Sequence, residues 1–142
     1  MDTPKYIAQK DGTWCFVCAL ANCAIHFGRE IPDIEGAKKI ARCNSGATIC
    51  HSEVIEYFLL PLVPVSDAVE VLKRGGIITI MHPIYNGHSF FVFPDSGTSV
   101  MMVDSWLGPL VAKGVGHAEL LQFVRGNLCG YHWVIADSIL HK

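Results

Sequence analysis

Charge is scarce in this sequence. Asp, Glu, Lys and Arg make up 17% of its 142 residues, and 11 basic side chains face 13 acidic ones. With no basic stripe to neutralise a phosphate backbone, a nucleic-acid partner is not expected. A bilayer-spanning run is missing too. The longest stretch free of charged residues, Gly75–Pro94, is interrupted by His82, Pro83, Asn86, Gly87 and His88, which no membrane span carries. The apolar segment Trp14–Ile25 imitates the core of a signal peptide, but Asp11, Gly12, Asn22 and the lack of a leucine-rich centre argue against one. The expected location is a cytoplasm, the protein's own or one into which it is delivered. Repeats, low-complexity tracts and linkers are absent. What the chain does have is apolar surface: 51% of its residues are hydrophobic. That excludes a disordered polymer and fits one domain over residues 1–142, within the usual size of about 100–150 residues.

The periodicity changes midway. Phe16, Leu20, Cys23 and Phe27 recur at helical spacing, which predicts a helix from Cys15 to Phe27 stopped by Gly28. Further helices are expected over Pro32–Ala41, over Thr48–Leu60 with Thr48 as N-cap and Pro61 as terminator, and over Asp67–Arg74 after Ser66. The second half reads as short strands: Ile77–His82, His88–Phe93, Ser99–Asp104 and, after a helix over His117–Arg125, Tyr131–Ala136. Asp95-Ser96-Gly97 predicts the turn of an antiparallel hairpin. Helices followed by an antiparallel sheet imply an α+β fold.

Four residues carry the chemistry. Cys15 stands at the expected first turn of a helix, where the positive end of the helix dipole favours a thiolate. Gln9, six positions earlier, offers a side-chain amide that could stabilise an oxyanion together with the Cys15 backbone N–H. His88 opens one strand and Asp104 closes the next, so a hairpin between them brings the imidazole and carboxylate together and fixes the ring tautomer. Trp14 and Phe16 flank the cysteine, and Trp106 follows the aspartate; these aromatics are candidates to line a substrate groove or shield the site from water.

The set Gln9-Lys10-Asp11-Gly12-Thr13-Trp14-Cys15, Ala19-Leu20-Ala21, Gly87-His88-Ser89-Phe90-Phe91-Val92 and Val103-Asp104-Ser105-Trp106 resembles the papain-like cysteine peptidases. Within them it is most similar to the bacteriocin-processing branch that cleaves after double-glycine leaders. His26-Phe27-Gly28-Arg29-Glu30-Ile31 and Asn44-Ser45-Gly46-Ala47-Thr48 extend the likeness over nearly the whole chain. The resemblance implies a papain-like fold and a peptide or protein substrate. It assigns Cys15 as nucleophile, His88 as general base and acid, Asp104 as orienter and Gln9 as oxyanion donor, with no cofactor. Phe16 departs from the small residue that relatives commonly place after the nucleophile, a change expected to reshape the groove. Double-glycine specificity is not expected to carry over, since the domain is expected to act without an attached transporter.

Other readings compete. Papain-like folds also serve deamidases, amidases and transglutaminase-type effector toxins, and members that have lost catalysis hold peptides. Such an enzyme invites control by a protein inhibitor or regulatory partner. Cys15-x2-Cys18 with Cys43, Cys50 and His51 suggests zinc, but the second cysteine pair is loosely spaced for a structural site. Cys18, Cys23 and Cys129 read as core fillers, Cys43 and Cys50 pair only in an oxidising compartment, and His132 reads as structural.

Overall fold

The computed structural model of the chain describes residues 6–7, 15–41, 51–82, 86–104, 111–125 and 132–136. Among them are five helices, α1 (Cys15–His26), α2 (Ile34–Ala41), α3 (His51–Phe58), α4 (Ala68–Arg74) and α5 (His117–Arg125). Six strands accompany them: β1 (Leu62–Val65), β2 (Gly76–His82), β3 (Asn86–Pro94), β4 (Ser99–Asp104), β5 (Val111–Gly116) and β6 (His132–Ile135). The strands form one antiparallel sheet in the order β1-β6-β2-β3-β4-β5. The expected α+β class holds.

Helix boundaries follow from capping chemistry. Gly28, at φ 69°, supplies the left-handed residue that turns the chain after α1. Asp33 rather than Pro32 opens α2: its carboxylate accepts from the Gly36 N–H at 3.0 Å. Likewise Asp67, not Ser66, caps α4 by accepting from Val69 N–H. Leu59 ends α3 in the left-handed region (φ 57°) with its side chain in solvent, while Val54, Ile55 and Phe58 face the core. The Arg29 guanidinium donates to the Leu59 carbonyl at 2.7 Å. The expected cap Thr48 lies outside the described residues, as do residues 83–85.

Strands β1 and β5 were not expected. Both are edges, and both have weak strand signals: Pro64 in β1, two glycines in β5. An edge needs pairing on one side only, which tolerates such residues. The β3–β4 hairpin forms where the Asp95-Ser96-Gly97 turn predicts it. The Ser96 hydroxyl accepts from the N–H groups of Thr98 and Ser99 and holds the turn. Where β2 meets β6, Gly76 (φ 153°) lies so close to Trp133 that a Cβ would sit 2.0 Å from its carbonyl oxygen, so no other residue fits.

The sheet separates two cores. Ile77, Phe91, Val103, Trp133 and Ile135 point to one face, covered by α1, α2 and α3. Ile78, Ile80, Phe90, Val92, Val100, Val115 and Val134 point to the other, covered by α4 and α5. On the first face the buried hydroxyls of Thr79 and Ser89 satisfy each other at 2.7 Å.

Candidate active site

The β3–β4 register sets the first two site residues. Phe91 lies opposite Val103, so alternation places His88, Phe90 and Asp104 together on the other face of the sheet. There His88 Nε2 and Asp104 Oδ1 form a hydrogen bond of 2.7 Å. The imidazole is only 2% exposed, while the carboxylate side chain keeps 21% of its surface in contact with solvent. A short bond on a buried ring fixes its rotation and commits Nε2 to the carboxylate. Nδ1 is the ring nitrogen that this bond does not occupy. The Phe90 ring, 6.0 Å away, packs beside the imidazole.

Both residues open onto a cleft of about 230 Å³. Phe90, Met102, Val115, Leu120 and Phe123 form its apolar wall, and Lys113 and Glu119 supply charge at its margin. The β5–α5 half of this wall was not foreseen, because β5 itself was not. Apolar walls with a few polar groups are the usual make-up of a ligand site.

Helix α1 supplies the candidate nucleophile. Cys15 is its first residue, as the sequence predicts. The helix is almost wholly buried, with Val17, Leu20, Ala21, Cys23 and Ala24 at 0% exposure. Phe16 corrects an expectation: at 1% exposure it packs against Trp133 and edge-on to His51, so its ring fills the core and does not line an open groove. Its size is explained by the space between α1, α3 and β6. Cys18 and Cys23 are buried thiols. Burial pushes the Cys23 thiol up to about 12, which makes it inert as a nucleophile. Burial also lowers the pKa of His26 and of His51; His51 stacks on Trp133. His132 is buried in β6, as expected of a structural residue.

Sequence reasoning passed over one buried polar residue. Asn22, 2% exposed in the middle of α1, grips the backbone of Ile7: its Oδ1 accepts from the Ile7 N–H at 2.7 Å and its Nδ2 donates to the Ile7 carbonyl at 3.0 Å. The Cys18 thiol donates to the same carbonyl at 3.2 Å. One residue earlier, the Tyr6 hydroxyl and His26 Nδ1 share a 3.1 Å hydrogen bond. The legible signal was an asparagine inside an apolar helix.

Gln9, Trp14, Trp106, Cys43, Cys50 and Cys129 lie outside the described residues, as does the side chain of Cys15. Among the described residues, no group of three or more His, Cys, Asp or Glu side chains gathers as metal ligands, and no helix is long and apolar enough to cross a membrane.

Neither a protein-family model nor any curated protein matches the sequence. Solved structures do. The peptidase domain of Streptococcus ComA, a bifunctional ABC transporter involved in quorum sensing, superposes with a TM-score of 0.69 at 12% identity, covering 93% of this chain and all of that domain. A double-glycine-motif protease from an AMS/PCAT transporter, solved in complex with its leader peptide, gives 0.62 at 13% identity, covering 93% of this chain and 90% of that one. The fold is papain-like. It is the fold of the double-glycine peptidase domains, the branch the sequence resembles, and at such low identity it is the architecture that is shared.

Proposed function

We propose that this chain is a cysteine peptidase that hydrolyses a peptide bond through Cys15, His88 and Asp104, with Gln9 as oxyanion donor. The observation that carries the reading is the buried 2.7 Å His88–Asp104 bond at the edge of an apolar cleft. It is supported by α1 beginning at Cys15 and by a papain-like fold whose solved neighbours are peptidase domains, one with a leader peptide bound.

In this reading the Cys15 sulfur attacks the substrate carbonyl, and the Gln9 amide with the Cys15 backbone N–H takes the oxyanion. His88, holding the thiol's proton on Nδ1, delivers it to the leaving amine as the C–N bond breaks. The neutral ring then takes a proton from water, whose oxygen attacks the thioester and releases the acid. Asp104 keeps the ring aimed throughout. Since α1 packs on the opposite face of the sheet from His88, the thiol and imidazole have to meet at the end of β3. The apolar cleft beside His88 suits the side chains of an extended peptide.

The test compares peptides released from a cell lysate by wild type and by Cys15→Ala, identified by mass spectrometry. New termini that need Cys15 support a peptidase. Deamidated or cross-linked glutamines in place of new termini point to an amidase or transferase on the same machinery. No Cys15-dependent product, together with slow alkylation of Cys15 by iodoacetamide below pH 7, overturns the enzyme reading in favour of a peptide-binding module.

A further inference from the structure

We propose that Asn22 is a positioning residue: it ties the Ile7 peptide, two residues ahead of Gln9, onto the helix that begins at Cys15, and the work of the proposed oxyanion donor depends on that tie. This rests on the peptidase reading above.

Asn22 is out of place by every local criterion. Asparagine is a poor helix interior residue, and a buried amide without partners is destabilising. An apolar residue would suit a helix whose other core positions are Val, Leu, Ala and Cys. The amide instead makes its two shortest bonds to one peptide unit outside the helix. Accepting from Ile7 N–H at 2.7 Å and donating to Ile7 C=O at 3.0 Å, it reproduces the two-bond exchange between paired strand residues. Two bonds fix both the position and the rotation of that backbone, where a single bond leaves it free to swivel. The Cys18 thiol donates to the same oxygen at 3.2 Å and also receives the Asn22 amide at 3.7 Å. The contact between Tyr6 and His26 adds a second attachment point.

The spacing connects this clamp to the site. Cys15, Cys18 and Asn22 are three and four residues apart and form one stripe along α1. At about 1.5 Å rise per residue, Cys18 lies roughly 4.5 Å along the axis from Cys15 and Asn22 roughly 10 Å. Ile7 precedes Gln9 by two residues, and two residues of extended chain reach at most about 7 Å. The start of α1 and the Ile7 peptide are therefore referenced to the same rigid element, and Gln9 follows Ile7 by two residues. An oxyanion donor must be held to within about 0.5 Å to be effective, so this anchoring is what a glutamine preceding the helix requires.

Two chemical probes separate this role from ordinary packing. Iodoacetamide alkylates Cys15 by displacing iodide and needs no oxyanion hole. Acetyl-glycyl-glycinal, which has no side chain to accommodate, adds reversibly to Cys15: the C–S bond forms, the carbonyl pair moves to oxygen, and the thiol's proton follows by way of His88. Its adduct does use the hole. Aldehyde affinity is read as protection of Cys15 from alkylation, mapped by mass spectrometry. Asn22→Ala is expected to weaken the aldehyde about tenfold or more while the alkylation rate stays within about threefold. Combined with Gln9→Ala, which alone weakens it as well, the loss falls well short of the product of the two. Cys18→Ala, which removes one of the two donors to Ile7 C=O, gives a smaller loss of the same kind and serves should Asn22→Ala not fold.

Unchanged aldehyde affinity in both single variants overturns the proposal. So does an equal fall of both readouts, which marks a purely structural role, or a full multiplicative loss with Gln9→Ala. Failure of the peptidase reading has its own signature, visible in wild type alone: Cys15 alkylates slowly and the aldehyde gives no protection, in which case this inference falls with it.

Discussion

The two faces of the sheet are built for different tasks. On the α1 side, Val17, Leu20, Ala21, Cys23, Ala24, Val54, Ile77 and Phe91 are sealed from solvent, and Phe16, His51 and Trp133 close the gaps as an aromatic cluster. On the α4–α5 side the core is well packed between α4, β2 and β3. It opens beside His88 and Asp104 into a cleft rimmed by Phe123, which is 48% exposed. In the proposed mechanism the nucleophile comes from the first side and the base and carboxylate from the second. In that mechanism the sealed side would carry the helix that begins at Cys15, and the exposed apolar surface beside His88 would receive the peptide.

The comparison breaks most visibly if either member of the proposed Cys15–His88 pair is removed. Cys15→Ala and His88→Ala are each expected to lower turnover by on the order of 10⁴-fold or more, measured on any peptide shown to be cleaved in a Cys15-dependent way. His88→Ala also loses some stability, because the ring is buried. Next comes the sealed face. Phe16→Ala should cost about 3–5 kcal/mol in denaturant unfolding, whereas Phe123→Ala at the cleft rim should cost under about 1 kcal/mol and act on KM instead. Equal destabilisation by the two would erase the distinction between the faces. Asp104→Ala should lower kcat by less than roughly 10²-fold, since it removes a positioning contact and leaves the imidazole.

The smallest effect sharpens the contrast through pH. Burial perturbs titrating groups on the α1 side. Cys23 in the folded protein holds its proton to about 12 against an ordinary value of 9, so the unfolded chain releases that proton first and stability falls as pH rises above 9. Cys23→Ala should flatten that alkaline loss in thermal melts. His26 and His51 have lowered values, so the unfolded chain takes up protons more readily and stability falls as pH drops below about 6.5. His51→Phe should reduce the acid loss, because a neutral ring in that place keeps its stacking on Trp133.

Elements with strong local signals were legible in the sequence. Helix α5 begins and ends at the expected residues, α1 within one, and the β3–β4 hairpin turns at Asp95–Gly97. The bond between His88 and Asp104 was legible too, because a hairpin turns a sequence separation of 16 into proximity. Missed were the elements whose residues make sense only beside a neighbour. Edge strands β1 and β5 contain Pro64, Gly114 and Gly116, poor strand formers tolerated there because one side needs no ladder. The insertion of β6 between β1 and β2 left no local trace. Asn22 was visible as an oddity in α1, but its partner Ile7 lies 15 residues away on a segment with no periodicity of its own.

By itself, then, the sequence determined the α+β class, the helix that starts at Cys15 and the hairpin that joins an imidazole to a carboxylate. Each of these depends on interactions between residues near in the chain: dipole and cap, helical period, turn and register. The tertiary structure alone decided which face each of these groups occupies, that Phe16 belongs to the core, that α5 and β5 contribute to the cleft wall, and that an asparagine holds the Ile7 backbone ahead of α1. Those outcomes depend on filling space and satisfying buried polar groups between segments far apart in sequence, and no local pattern encodes them.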